Sequence, residues 1–175
     1  VDPQLAPQML LLSITVALAF VAAPIPDATD AVVNETIVNA PVSDVWKAFT
    51  TKAGIESWMV GTGDVDLRIG GLMRTSYQKN ADLNGDTSIH QQILSLDPER
   101  MFSYRTIKTP ANFPFTQQIG STWVAVYFEP IDATHTRVVA RMLGYTSDPE
   151  SQKMRAFFAN GNKATVDSLV RRFSK

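Results

Sequence analysis

The sequence predicts an α+β domain in which an antiparallel meander lies against a long C-terminal helix, with two short helices inserted after the first strand. Three observations carry this reading. The stretch APVSDVWKAFTTKAGIESWMVGTGDVDLRIGGLM, Ala40 to Met73, begins with two short apolar stripes at helical spacing and passes into alternating residues. Turn signals then separate a succession of strand-like segments. The chain closes on a long helical pattern from about Pro149 to Phe173.

Taken in order, Met9 to Ala23 is an apolar run broken by Ser13 and Thr15. As a helix it would span about 22 Å, short of the roughly 30 Å bilayer core. Its length suits the apolar region of an export signal, with Ala17 and Ala19, or Val21 and Ala23, as small residues before a cut. Residues 1–8 carry no Lys or Arg, which fits if Met9 is the true start. The alternatives are a short membrane anchor and an ordered N-terminal helix. Residues 1–23 are thus expected to be a signal peptide and 24–30, PIPDATD, a linker. A single domain is expected over 31–175, with an exported, periplasmic or secreted, location; a cytoplasmic one is the alternative. Membrane contact is expected only through an uncleaved N-terminal segment.

Val32 to Asn39 is rich in β-branched residues and predicts the first strand. Pro41 suits the first turn of a helix whose Val42, Val45, Trp46 and Phe49 share one face. Thr51 to Trp58 predicts a second short helix. Thr62 to Arg68 alternates, and Gly70-Gly71 predicts a bulge or tight turn before a strand over Leu72 to Gln78. Asn84-Gly85 is a hairpin signal. Thr87 to Leu96, Met101 to Ile107, Trp123 to Glu129 and Thr136 to Leu143 predict four more strands. Lys108 to Ser121 interrupts the meander, and its Phe113 and Phe115 must be buried against something. In the last helix, Ser147 with Glu150 or Asp148 with Pro149 offers a start. Met154, Phe158, Gly161, Thr165, Leu169 and Phe173 form its stripe, widened by Phe157, Val166 and Val170.

Composition excludes several chemistries. The chain has 175 residues, 45% of them hydrophobic, and a formal net charge of −1 with no basic run, so no nucleic-acid partner is expected. It has no cysteine, which removes disulfides, thiolate nucleophiles and Cys-based zinc sites. The two histidines stand far apart, so no metal is expected. There is no Gly-x-Ser-x-Gly elbow, and Gly61-Thr62-Gly63 is not followed by a helix that would cradle phosphate, so no cofactor is expected. A monomer or weak dimer is expected.

The element order resembles the helix-grip arrangement of the SRPBCC or START-like superfamily, also known from the birch-pollen-allergen fold. Pro41, Val45-Trp46, Trp58 and Gly70-Gly71 resemble its branch named for activators of heat-shock-chaperone ATPase. So do Ile93-Leu94 with Pro98-Glu99-Arg100, Tyr127-Phe128-Glu129-Pro130 with Thr136-Arg137, and Phe157-Phe158 with Gly161-Asn162 and Leu169. The resemblance implies a curved antiparallel sheet of about seven strands wrapped around the C-terminal helix, with a cavity between them. Its members include lipid and sterol carriers, hormone receptors, cyclase-like enzymes and chaperone regulators, and the fold does not choose among these.

Within such a cavity, candidate ligand-binding residues follow from strand parity and helix face. His90 and Gln92 share a face with Leu94 and suit ligand contact or proton transfer if that face is inward; otherwise His90 is an exposed histidine or one satisfied by backbone carbonyls. Arg141 shares parity with Val139 and Leu143, and inward it would anchor an anionic group. Tyr104 and Trp123, with Tyr77 and Tyr127, combine an apolar body with a polar tip. Gly161 either opens space for a ligand or marks a bend or close packing, with Asn162 beside it and Phe158 on the same stripe. Phe113 and Phe115 would form a lid or rim. The expected function is binding of a lipid-like or aromatic small molecule. The alternatives are a cavity enzyme of cyclase, dehydratase or hydrolase type, and a chaperone-regulating interaction module. Export predicts that mass spectrometry of protein recovered from cells finds an N-terminus after Ala19 or Ala23; one at Met9 would rule out cleavage.

Overall fold

The computed structural model describes residues 31–174, so the expected signal peptide and linker lie outside the described residues. The seven strands are β1 (Val32–Val38), β2 (Thr62–Val65), β3 (Leu72–Ser76), β4 (Ile89–Asp97), β5 (Met101–Lys108), β6 (Trp123–Pro130) and β7 (Thr136–Leu143). They form one antiparallel sheet in the order β1-β7-β6-β5-β4-β3-β2. Helices α1 (Val42–Thr50) and α2 (Lys52–Glu56) follow β1, and α3 (Pro149–Arg172) ends the chain. This is the α+β helix-grip fold.

Local chemistry places the two short helices. Pro41 stands at the N-cap of α1 in extended conformation, where its missing N–H costs nothing. Thr51 serves both helices at once. Its hydroxyl donates to the Lys47 carbonyl at 2.8 Å and accepts from the Gly54 N–H at 3.0 Å. A Cβ at Gly54 would collide with that Lys47 carbonyl, so the tight turn between α1 and α2 requires glycine. The Trp58 indole N–H then donates to the Ala48 carbonyl at 3.0 Å, closing the pair.

The Gly70-Gly71 expectation resolves into a turn. Gly70 has φ of 79°, and the Gly71 N–H donates to the Arg68 carbonyl at 2.8 Å. The Asn84-Gly85 signal, by contrast, does not make a two-residue hairpin. Gly85 lies outside the positive-φ region, and Thr75 pairs with Ile89 across a long connection in which the Asp82 carboxylate accepts from the Asn84 N–H. Asp82 therefore supplies the turn that the dipeptide alone suggested, and the hairpin closes through a broad loop. At α3, Asp148 is the N-cap and accepts from the Glu150 N–H, with Pro149 behind it.

Two apolar clusters hold α3 to the sheet. At one end Leu169, Val170 and Phe173 pack with Trp46, Phe49, Phe102 and Phe128. Trp46 meets Phe128 edge-on at 5.3 Å and Phe102 at 6.0 Å. At the other end Met154 packs with Val32, Ile119, Met142 and Tyr145. Between Met154 and Leu169, about 22 Å of helix, no residue is buried. The expected stripe is therefore buried only at its ends: Gly161 and Thr165 are exposed, and Phe158 is half-buried. A Cβ at Gly161 would meet nothing within 4 Å, so this glycine serves no close packing.

Two substitutions of opposite sign follow. Trp46→Ala is expected to destabilise the domain by about 3–5 kcal/mol, and Gly161→Ala to stabilise it by up to about 1 kcal/mol. Urea unfolding of both variants checks the pair; a destabilised G161A would contradict the open space around this position.

Candidate functional site

The unburied middle of α3 roofs a cavity of about 230 Å³. Strand parity sets its floor. In β5, β6 and β7 the inward residues are Phe102 and Tyr104, Val124 and Val126, and Val138, Ala140 and Met142. Phe158, Asn162, Thr165 and Val166 face them from α3, and Phe49, Trp58 and Met59 close one end. Most of this lining is apolar. Polar side chains line it as well, among them the six of Asn34, Gln91, Tyr104, Thr106, Asn162 and Thr165. None of the six makes a side-chain hydrogen bond with a described residue.

Tyr104 is the ionisable group set deepest among them. Its ring stacks on Phe102 at 5.7 Å. Burial, with the nearby Tyr77 adding, pushes its hydroxyl up to about 12. It is a neutral hydrogen-bond donor at physiological pH. The cavity's carboxylate, Glu35, sits at the exposed edge and is already occupied. Arg137 clamps it through two bonds of 2.7 Å and reaches Glu129 at 2.6 Å. The bonds from Arg137 hold the Glu35 carboxyl below the usual range and raise the guanidinium in turn. Free charge is thus kept off the cavity wall. Among the described residues no group of three or more His, Asp or Glu is placed to hold a metal ion.

The sequence-derived candidates divide. Tyr104, Phe158 and Asn162 line the cavity. Phe113 and Phe115 sit behind it, in a cluster with Phe157 and Phe158; Phe115 meets Phe157 at 5.6 Å and Phe113 meets Phe158 at 6.2 Å. They brace the cavity-lining Phe158 from outside. Gly161 lies between Phe158 and Asn162 without lining the space itself.

The remaining four point elsewhere. His90 and Gln92 do share a face with Leu94, but it is the outer one, and Gln91 is the residue of β4 that lines the cavity. The Nε2–H of His90 donates to the Leu83 carbonyl at 2.7 Å, and Gln92 accepts from the Arg105 guanidinium at 2.9 Å. Trp123 and Arg141 occupy the parity opposite to Val124 and Met142; Trp123 packs its ring against Gly144. The sequence candidates do not include Asn34, Gln91, Thr106 and Thr165, nor Trp58, which walls the cavity as well as closing the helix pair. In β1, Asn34, Glu35 and Thr36 are three consecutive polar residues, so no alternation of polar with apolar singles out Asn34. Tyr145 is a further finding: it is buried beside Met154 with no partner for its hydroxyl, and burial pushes that group up to about 12.

The comparisons with known proteins agree on the fold. A family described as Activator of Hsp90 ATPase homolog 1-like protein matches residues 39–174. Protein NE0264 from Nitrosomonas europaea is similar in structure with a TM-score of 0.65 at 20% identity, over 86% of this chain and 97% of that one. Protein MLL2253 from Mesorhizobium loti gives 0.62 at 20% identity, over 81% and 95%. The Aha1 dimer from Colwellia psychrerythraea gives 0.58 at 13% identity, over 82% and 95%. No curated protein matches the sequence.

The two raised phenols predict a pH dependence. A tyrosine held protonated by the fold above its ordinary value of about 10 adds stability below that pH and loses it as pH rises towards about 12. Of the four tyrosines, two are expected to ionise late in an absorbance titration near 295 nm, and Tyr104→Phe should remove one of them. An unchanged late phase in Y104F would contradict the assignment.

Proposed function

The chain belongs to the Activator of Hsp90 ATPase homolog 1-like family within the SRPBCC superfamily, and from that premise we propose that it binds a small apolar or amphipathic molecule between sheet and C-terminal helix. One observation carries the reading: α3 is anchored at both ends yet bridges an unfilled cavity edged by unpaired polar side chains. A packed core would fill that volume, because protein interiors tolerate few voids larger than a water. Polar groups without protein partners supply orientation for a guest, as in small-molecule sites generally.

Size narrows the guest. An apolar cavity of about 150 Å³ accepts benzene, and drug-sized ligands occupy about 300–1,000 Å³. At about 230 Å³ the site suits a substituted single ring or a short alkyl chain. Tyr104 donates to the guest's oxygen, and Asn162 from the helix completes its polar contacts. Proton-transfer chemistry draws less support, because Glu35 is committed to Arg137 and leaves Tyr104 without an acid–base partner.

Binding is tested by thermal unfolding and calorimetry with 4-phenylbutanol and indole, alongside native mass spectrometry of the purified protein. A ligand at a hundred times its Kd should stabilise the fold by about 2.7 kcal/mol. Ala140→Leu, which adds bulk at the cavity floor, should abolish the effect. Tyr104→Phe should weaken binding by about 2- to 10-fold. No stabilisation by either compound, with nothing co-purifying, would sink the proposal.

A further inference from the structure

We propose that the guest carries an anionic oxygen head group, and that it occupies a groove between β5 and the Lys108–Ser121 loop while its apolar body lies in the cavity. This rests on the binding reading above. The groove is separate from the cavity, about 500 Å³ in extent and open to solvent. The two meet at Thr106 and Ile119, which line both. The two spaces adjoin at this boundary, where a molecule longer than the cavity would leave it.

The charge of the groove selects the head group. Its ionisable lining residues are Arg105 and Lys108, and it contains no carboxylate. Each cation is held by neutral acceptors. Arg105 donates through Nε and Nη2 to the Gln92 side-chain oxygen at 3.2 and 2.9 Å. Lys108 Nζ donates to the carbonyls of Asn84 and Gly85 at 2.8 Å each and to the Ser88 hydroxyl at 2.9 Å. No carboxylate of the described residues lies within 4.0 Å of either. Elsewhere on the sheet cations are treated differently: Arg74 is paired with Asp64 and Arg137 with Glu35 and Glu129. The groove therefore holds two positive charges without a carboxylate partner, Arg105 on the outer side of β5 with Gln92, while Thr106, of the opposite parity, faces the cavity at the threshold. Arg105 keeps Nη1 for a bound oxygen, and Lys108 acts as a held charge.

Gly120 gives the groove a mechanical handle. A Cβ there would meet nothing within 4 Å, and its backbone lies outside the positive-φ region. Gly120→Leu is thus accommodated by the fold and fills the groove.

The test compares 4-phenylbutanoate, 4-phenylbutyl phosphate and 4-phenylbutanol on the full chain by calorimetry at low and high salt. One or both anions should bind at least about tenfold tighter than the alcohol, the carboxylate and phosphate arms telling which head group is preferred. Added salt should narrow the margin. Arg105→Gln should remove the preference and leave the alcohol's affinity unchanged, and G120L should weaken the anions selectively. Equal or tighter binding of the alcohol to the natural protein overturns the proposal and leaves the cavity reading standing. Tighter anion binding that persists undiminished in R105Q overturns it as well. If none of the three binds, the cavity reading falls and takes this proposal with it.

Discussion

The molecule depends on how α3 is held. Met154 and Leu169 are both fully packed, each in its own apolar cluster, and no buried residue lies between them. Two anchors on one rigid rod fix its height above the sheet. The helix cannot settle onto the floor at its middle without tearing one end loose. Its internal hydrogen bonds make the helix stiff between the anchors, so the space beneath it persists. The exposed mid-helix glycine fits that account, since it contributes no packing between the anchors.

The charges follow the same division between ends, outside and middle. Ion pairs cluster on the outer face, where Arg137 joins Glu35 to Glu129 across three strands. Such exposed pairs contribute little to stability. What they do here is hold the carboxylate nearest the cavity away from it. The inner wall is left with amides, hydroxyls and one deep phenol, all neutral at physiological pH. An apolar space with neutral donors favours guests that bring an acceptor, and it disfavours a buried charge, whose desolvation no wall residue would offset.

Family membership explains the frame more than the occupant. Residues that mark the family, such as Trp46 and the glycine pair after β2, close a core or shape a turn. Trp58 does both jobs, bonding back to Ala48 and walling the cavity end. The cavity is lined largely by other positions, and function on a shared fold resides in the site rather than the frame.

The sequence by itself determined the order and nature of the elements. Periodicity, proline and glycine placement and the Asp148-Pro149 start are local signals, and local physics reads them almost without tertiary help. Seven strands and three helices were legible for that reason. Orientation was not. In β4, Ile89 and Ile93 have one parity and Leu94 and Leu96 the other, and the ladder is irregular between Ile93 and Ser95, so no alternation told which face was inner. In β7 the outward set, Val139, Arg141 and Leu143, is as apolar as many inward ones. His90, Gln92 and Arg141 were therefore placed with the cavity candidates although they face away from it. A period of two fixes which residues travel together, and only the curl of the sheet over α3 decides which set it encloses. The cavity has the same origin: it comes from two clusters far apart in sequence meeting one helix at separate ends, a long-range coincidence that no short window of residues contains.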